Sequence, residues 1–234
     1  MNSCRFVVQI NLDMSIEDRF NTIRTKVPSN VKIVAVSKTK PAAMIEDLYF
    51  KTGHSIFGEN KAQELETKYT ILPKEINWHY IGHLQTNKIK YIAPFVNLVH
   101  SVDSFRLLCE INKEAVKCNR IIPCLLQFYI AKEESKFGFS IEDVYKMCDD
   151  PAFQGLSNIS IHGVMGMATY TSDKNQIRSE FRTLFNYFST LKTRYFHFQP
   201  DFSEISMGMS DDYLIAIEEG STIVRIGSGI FGGR

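Results

Sequence analysis

Along the chain, short apolar stretches alternate with longer segments in which apolar positions return every three or four residues. Lys32 to Ser37, His54 to Phe57, Trp78 to Ile81, Val96 to Ser101, Ile121 to Tyr129, Ile159 to Met167, Glu204 to Met207 and Thr222 to Ile226 read as strands. The run from Val31, interrupted only by Lys32, has the character of a buried parallel strand. Helical spacing covers Pro41 to Phe50, Lys61 to Tyr69, Thr86 to Ala93, Asp103 to about Lys117, a segment opened by Ser140, Asp173 to Thr193, and Ser210 to Glu219. Asp103 and Ser140 read as caps, the latter followed three residues on by Asp143, while Gly53 and Gly220 close helices. Before Asn30 an amphipathic helix is expected, with Met14, Ile16, Phe20 and Ile23 spaced to cover a sheet or a barrel end.

Eight strands alternating with helices, undivided by any linker, predict an α/β fold: a single (β/α)8 TIM barrel over residues 1–234 with an extra N-terminal helix. An open, doubly wound sheet is the competing arrangement.

Composition narrows the function. Lys+Arg 27 against Asp+Glu 26 leaves a net charge of +1, so no overall field recruits nucleic acid or an anionic membrane. The longest apolar runs, such as Ile121 to Leu126, fall far short of the ~20 residues that span a bilayer. The N-terminus lacks a basic stretch leading into an apolar one, so an intracellular, cytoplasmic protein is expected, a mitochondrial pool being the other site considered. The five cysteines, Cys4, Cys109, Cys118, Cys124 and Cys148, form no CxxC pair and are expected as reduced thiols.

In a barrel, residues just after each strand converge on one rim: Lys38, Asn60, His83, Ser101, Met165 to Met167, Ser206 to Ser210 and Gly227 to Gly229. Lys38 ends the first strand, where a partly dehydrated amine could form a Schiff base with a carbonyl ligand. The plainer reading of Ser37-Lys38-Thr39-Lys40 is a solvated loop. Met207-Gly208-Met209-Ser210-Asp211-Asp212 puts a serine at a helix N-terminus suited to an anion, or simply caps that helix. Gly227-Ser228-Gly229-Ile230-Phe231-Gly232 matches GxGxxG, but without a following helix or a second half-fold it reads as a glycine-opened loop whose amides approach one phosphate, with Ser228 as an added donor. Arg225 interrupts an apolar strand and needs a partner, either an acidic side chain or an acceptor on a ligand. His79 and His83 form no metal motif, and His100 and His162 read as satisfied core histidines.

Taken in order, AVSKTKP at Ala35, FGEN at Phe57, WHYIGHLQTNK at Trp78, SKFG at Ser135, HGVMGM at His162, SMGMSDDY at Ser206 and VRIGSGIFG at Val224 resemble the pyridoxal-5'-phosphate homeostasis proteins, relatives of the alanine racemase barrel domain. The resemblance runs from about Val31 to the C-terminus. It implies that pyridoxal 5'-phosphate is the cofactor and that Lys38 forms its internal aldimine. It also implies that Ser210, the Gly227-Ser228 backbone and hydroxyl, and Ser206 hold the phosphate. Arg225 would face the pyridine nitrogen, and Asn60, His83 and Met165 would line the cofactor. The family commonly has threonine where Ser228 stands, and the chain stops at Arg234 where relatives often continue, so fraying of the last strand is expected. The implied function is storage, buffering or delivery of the cofactor to apo-enzymes, by a monomer without a robust catalytic cycle. The second base of a racemase would come from an extra β-domain and a partner subunit, for which this chain has no residues. The alternative is a small amino-acid racemase with Lys38 as one base and His83 as the other.

Overall fold

The computed structural model describes residues 14–131 and 137–233. Cys4, Arg234 and the Ser135-Lys136 half of SKFG lie outside the described residues, as does most of the expected polar loop Lys132 to Gly138.

The strands β1 (Lys32–Val36), β2 (Ile56–Glu59), β3 (Asn77–Tyr80), β4 (Leu98–Val102), β5 (Ile122–Gln127), β6 (Ile159–Met165), β7 (Glu204–Ser206) and β8 (Ile223–Ile226) close into one barrel in sequence order. Every pairing is parallel, and β8 pairs back onto β1, a closure that settles the choice against an open sheet. Around it lie α1 (Ile16–Arg24), α2 (Ala42–Thr52), α3 (Ala62–Ile71), α4 (Ile89–Ile92, entered through a 3-10 turn at Thr86–Lys88), α5 (Phe105–Lys117), α6 (Ile141–Asp149), α7 (Pro151–Gln154), α8 (Lys174–Arg194), α9 (Tyr213–Glu218) and α10 (Ser228–Phe231).

Strand alternation sorts side chains between two cores. Val34, Leu98, Leu125, Met165 and Ile223 pack together in one buried cluster, the apolar filling of the barrel. Their strand neighbours, among them Trp78, Tyr80, Leu126, Val164 and Val224, join the larger core shared with the helices. Gly163 makes the β6–β7 approach possible: its φ of 148° is open to glycine, and a Cβ there would stand 1.8 Å from the Glu204 carbonyl oxygen.

Several boundaries differ from the sequence reading. β2 starts at Ile56 because His54 is turned aside, its ring 4.7 Å from Phe20 and its Nε2 2.8 Å from the Ile56 carbonyl. Ser104, not Asp103, caps α5 by accepting from the Leu107 amide, because Asp103 is engaged with His83. Ser140 and Asp143 do form the reciprocal capping box. α9 begins at Tyr213 rather than Ser210, and residues 228–231 close one helical turn where only an open loop was expected. Nor does the last strand fray. β8 pairs with β1 from Lys32↔Ile223 to Ala35↔Ile226, Arg19 Nε donates to the Ile230 carbonyl at 2.8 Å, and Lys40 Nζ holds the Gly233 carbonyl at 2.9 Å. Among the described residues no helix is long and apolar enough to cross a membrane.

Candidate functional site

Lys38 follows β1 on the C-terminal rim, half-buried, and its amine makes no hydrogen bond or ion pair among the described residues. It borders a cleft of about 610 Å³ that Lys40, Asn60, Lys61 and Glu64 also line. The turn that presents it is unusual. Thr39 has φ 63°, a left-handed conformation that a β-branched residue adopts only when its surroundings impose it. Here Glu64 Oε1 accepts the Thr39 amide at 2.7 Å and the Lys68 ammonium at 2.7 Å. Lys68 also donates to the Ser37 carbonyl at 2.9 Å and to Glu59 Oε1 at 2.7 Å, and Ser37 Oγ donates to that same oxygen at 2.6 Å. Glu59 is fully buried, and burial pushes its carboxyl up while Lys68 and Ser37 oppose that push. Strand ends β1 and β2 are thus tied by charge directly beneath Lys38.

Asn60 is placed by a close backbone approach. A Cβ on Gly82 would meet the Asn60 carbonyl oxygen at 2.4 Å, so only glycine lets the two loops touch. The Tyr80 hydroxyl lies 2.9 Å from that oxygen and 3.1 Å from the His83 carbonyl, and burial pushes its phenol up to about 12. Asn60 Oδ1 is buried without a hydrogen-bond partner among the described residues. A buried acceptor left in this state points to a ligand. His83 stands on the same rim with its side chain 60% exposed, Nδ1 3.1 Å from Asp103 Oδ2. Ser101 is buried and donates to the Gly82 carbonyl.

Arg225 is 5% exposed and has no salt bridge among the described residues, so the ion-pair alternative fails. Its Nη1 donates to the Ser206 carbonyl at 2.8 Å and to Ser206 Oγ at 2.7 Å, and Nη2 donates to the Gly166 carbonyl at 3.1 Å. Nε and one Nη2 proton remain for a ligand. Burial pushes the guanidinium down to about 10, with Asp212 opposing. Met165 lies beneath, in the apolar filling.

At the expected phosphate end, Ser210 does not cap α9; its Oγ accepts from the Gly229 amide at 3.4 Å, joining the loops after β7 and β8. Asp212 Oδ1 instead takes the Met209 amide at 2.5 Å. Gly227 packs against Val36, where a Cβ would sit at 3.4 Å, and Ser228 is exposed at the first position of α10. Ser206 is drawn away from this end: its hydroxyl is buried between Arg225 and His100, so its place among phosphate-holding groups is corrected to one under the guanidinium.

The structure therefore gathers Lys38 and Asn60 at one cleft, Ser206 with Arg225, and Ser210 with the Gly227–Gly229 turn. Sequence reasoning missed Glu59, Lys68 and the His79–His100 pair, whose partners come from distant strands. FGEN carries Glu59 and WHYIGHLQTNK carries His79, and His100 read as a core histidine, but nothing in those stretches named their partners. Among the described residues no cluster of His, Cys, Asp or Glu could hold a metal ion.

A lysine and a glycine turn on the C-terminal rim of a closed parallel barrel give the architecture of an alanine racemase type barrel. The family described as alanine racemase, N-terminal domain, matches residues 10–234. The pyridoxal phosphate homeostasis protein of Aquifex aeolicus (strain VF5) is 38% identical over 204 residues, 87% of each chain. PipY of Synechococcus elongatus PCC7942, solved without PLP, superposes with a TM-score of 0.85 at 31% identity, covering 93% of this chain and 100% of that one. Solved with PLP bound, it gives 0.83. Alanine racemase from Bartonella henselae, at 15% identity and TM-score 0.68 over 58% of its length, shares the fold. The chain belongs to the pyridoxal phosphate homeostasis protein family.

Proposed function

We propose that this protein binds pyridoxal 5'-phosphate at the C-terminal rim and keeps it available in the cytoplasm, by storage, buffering or delivery to apo-enzymes, as a monomer. The observation that carries the reading is the Lys38 amine, without a partner among the described residues, on the same cleft as Asn60, whose Oδ1 likewise has none there. The residues fit the cofactor. Lys38 supplies the amine for its aldehyde, Arg225 a donor-only face for its ring nitrogen, and Ser210, Ser228 and the Gly227–Gly229 amides a set of donors for its phosphate. We assign Asn60, which lines the Lys38 cleft, together with His83 and Met165, to the cofactor's surroundings. When bound, pyridoxal phosphate supplies an aldehyde that condenses reversibly with an amine and withdraws electrons from it. Because arginine only donates, it favours an unprotonated ring nitrogen, which restrains carbanion chemistry and suits a carrier better than a catalyst.

One observation favours a second reading, a small racemase: His83 is oriented by Asp103 on the same rim, with Nε2 left as a proton carrier. Purified protein should absorb in the visible after loading, borohydride should fix the label on the peptide containing Lys38, and Lys38→Ala should do neither. A parent that takes up no pyridoxal phosphate refutes the proposal. Exchange of an amino acid's α-proton with deuterated solvent at enzymatic rates would move the protein to the second reading.

A further inference from the structure

A chain of hydrogen bonds crosses the barrel interior from strand to strand. Arg225 Nη1 on β8 reaches Ser206 Oγ on β7 at 2.7 Å, Ser206 Oγ reaches His100 Nδ1 on β4 at 2.9 Å, and His100 Nε2 reaches His79 Nδ1 on β3 at 2.9 Å. All four side chains are buried.

Its polarity follows from its first member. Arginine has no acceptor, so Ser206 must accept from it. Among the described residues the serine proton then goes to His100 Nδ1, which accepts only if His100 carries its proton on Nε2 and donates to His79 Nδ1. The reverse sense would leave the Ser206 hydroxyl proton without an acceptor in a sealed interior, a cost of about 1–3 kcal/mol. Desolvation above all keeps both rings neutral, holding His79 down at about 3 and His100 well below its ordinary value. Neutral rings are what a one-way chain requires, since a doubly protonated ring has no acceptor.

We propose that His100, with His79 behind it, is a positioning residue for the cofactor's ring nitrogen: acting through Ser206, it locks the Arg225 guanidinium so that its spare N–H groups face that nitrogen. This rests on the pyridoxal phosphate reading above. Each hydrogen bond polarises the next, so the serine oxygen that donates to His100 holds the guanidinium more firmly than an isolated hydroxyl would.

The test begins without cofactor. Long-range ¹H–¹⁵N spectra of the imidazoles in the unloaded protein should show both His79 and His100 as Nε2–H tautomers; an Nδ1–H tautomer on His100 overturns the proposal whatever the cofactor reading. The second arm loads the protein with pyridoxal phosphate labelled with ¹⁵N in the ring. His100→Phe should move the ring-nitrogen resonance and speed cofactor release roughly tenfold, with His100→Gln, which keeps an acceptor and a donor, returning towards the parent. If His100→Phe does not fold, Ser206→Ala serves in its place, and adding His79→Phe to it should change the resonance no further. Variants that load with an unmoved resonance and unchanged release overturn the positioning role alone. A parent that never loads overturns it together with the reading on which it rests.

Discussion

Glu59 and Lys68 meet at 2.7 Å with side chains 0% and 7% exposed, and Glu59 Oε2 has no hydrogen-bond partner among the described residues. A buried pair of this kind gains little over an apolar pair, but removing one partner strands the other's charge at a cost of about 3–5 kcal/mol. Lys68→Met should therefore lower the unfolding free energy by about that amount, read by urea titration with Trp78, the only tryptophan, as probe. Lys68→Met with Glu59→Gln should recover most of the loss. A double variant no more stable than Lys68→Met would refute the stranded-charge account.

Gly82 and Gly53 separate site from scaffold. Gly82→Ala would drive a Cβ to 2.4 Å from the Asn60 carbonyl oxygen and 2.7 Å from its Cα, so the Asn60 loop must shift. Uptake of pyridoxal phosphate should weaken about tenfold or more, alongside an overpacking cost of about 1–3 kcal/mol. Gly53→Ala meets open space and pays only for its φ of 69°, so it should lower stability by about 1 kcal/mol and leave uptake untouched. Equal uptake by both variants would refute the role given to the Gly82 contact.

The barrel was legible because its strands carry short apolar runs and each helix keeps its 3.6-residue face, both local signals. Lys38 was legible for the same reason, as the first polar residue but one after a buried strand. What was not legible is non-local. His100 read correctly as a core histidine, yet nothing near it in the chain announces Ser206, 106 residues away. Asp103 had the right residue type for a cap, and the cap went to Ser104 because His83, from another loop, took the carboxylate. Ser210 likewise looked like a cap and was claimed by Gly229. Where a local preference and a tertiary partner competed for one side chain, the tertiary partner won.

Stability should fall with acid, and His54 contributes its own share of that fall beside the buried His79 and His100. Desolvation lowers the folded value of His54 to about 4 from the ordinary 6.5, so the unfolded chain binds the extra proton between those values. The contribution, on the order of 3 kcal/mol, is complete above pH 6.5 and is lost as pH falls towards 4. Thermal midpoints measured across that range should drop more steeply in the parent than in His54→Gln. Parallel curves would refute the assignment.

The Ser210 hydroxyl gives the sharpest test of the phosphate end. It lies 3.4 Å from the Gly229 amide and caps no helix, so removing it deletes no capping bond. Beside it Asp212 is mostly buried, and burial raises its carboxyl, lessening the repulsion an anion would meet there. Ser210→Ala should then lose one charge-assisted hydrogen bond to phosphate, worth about 1.5–3 kcal/mol, or roughly 10- to 100-fold in affinity for pyridoxal phosphate. Affinity for pyridoxal, which shares the ring and aldehyde but lacks the phosphate, should not change. Calorimetric titration with both ligands separates the cases. Equal losses would mean that Ser210 shapes the whole rim through Gly229, and no loss for either would move the phosphate away from the turn after β8.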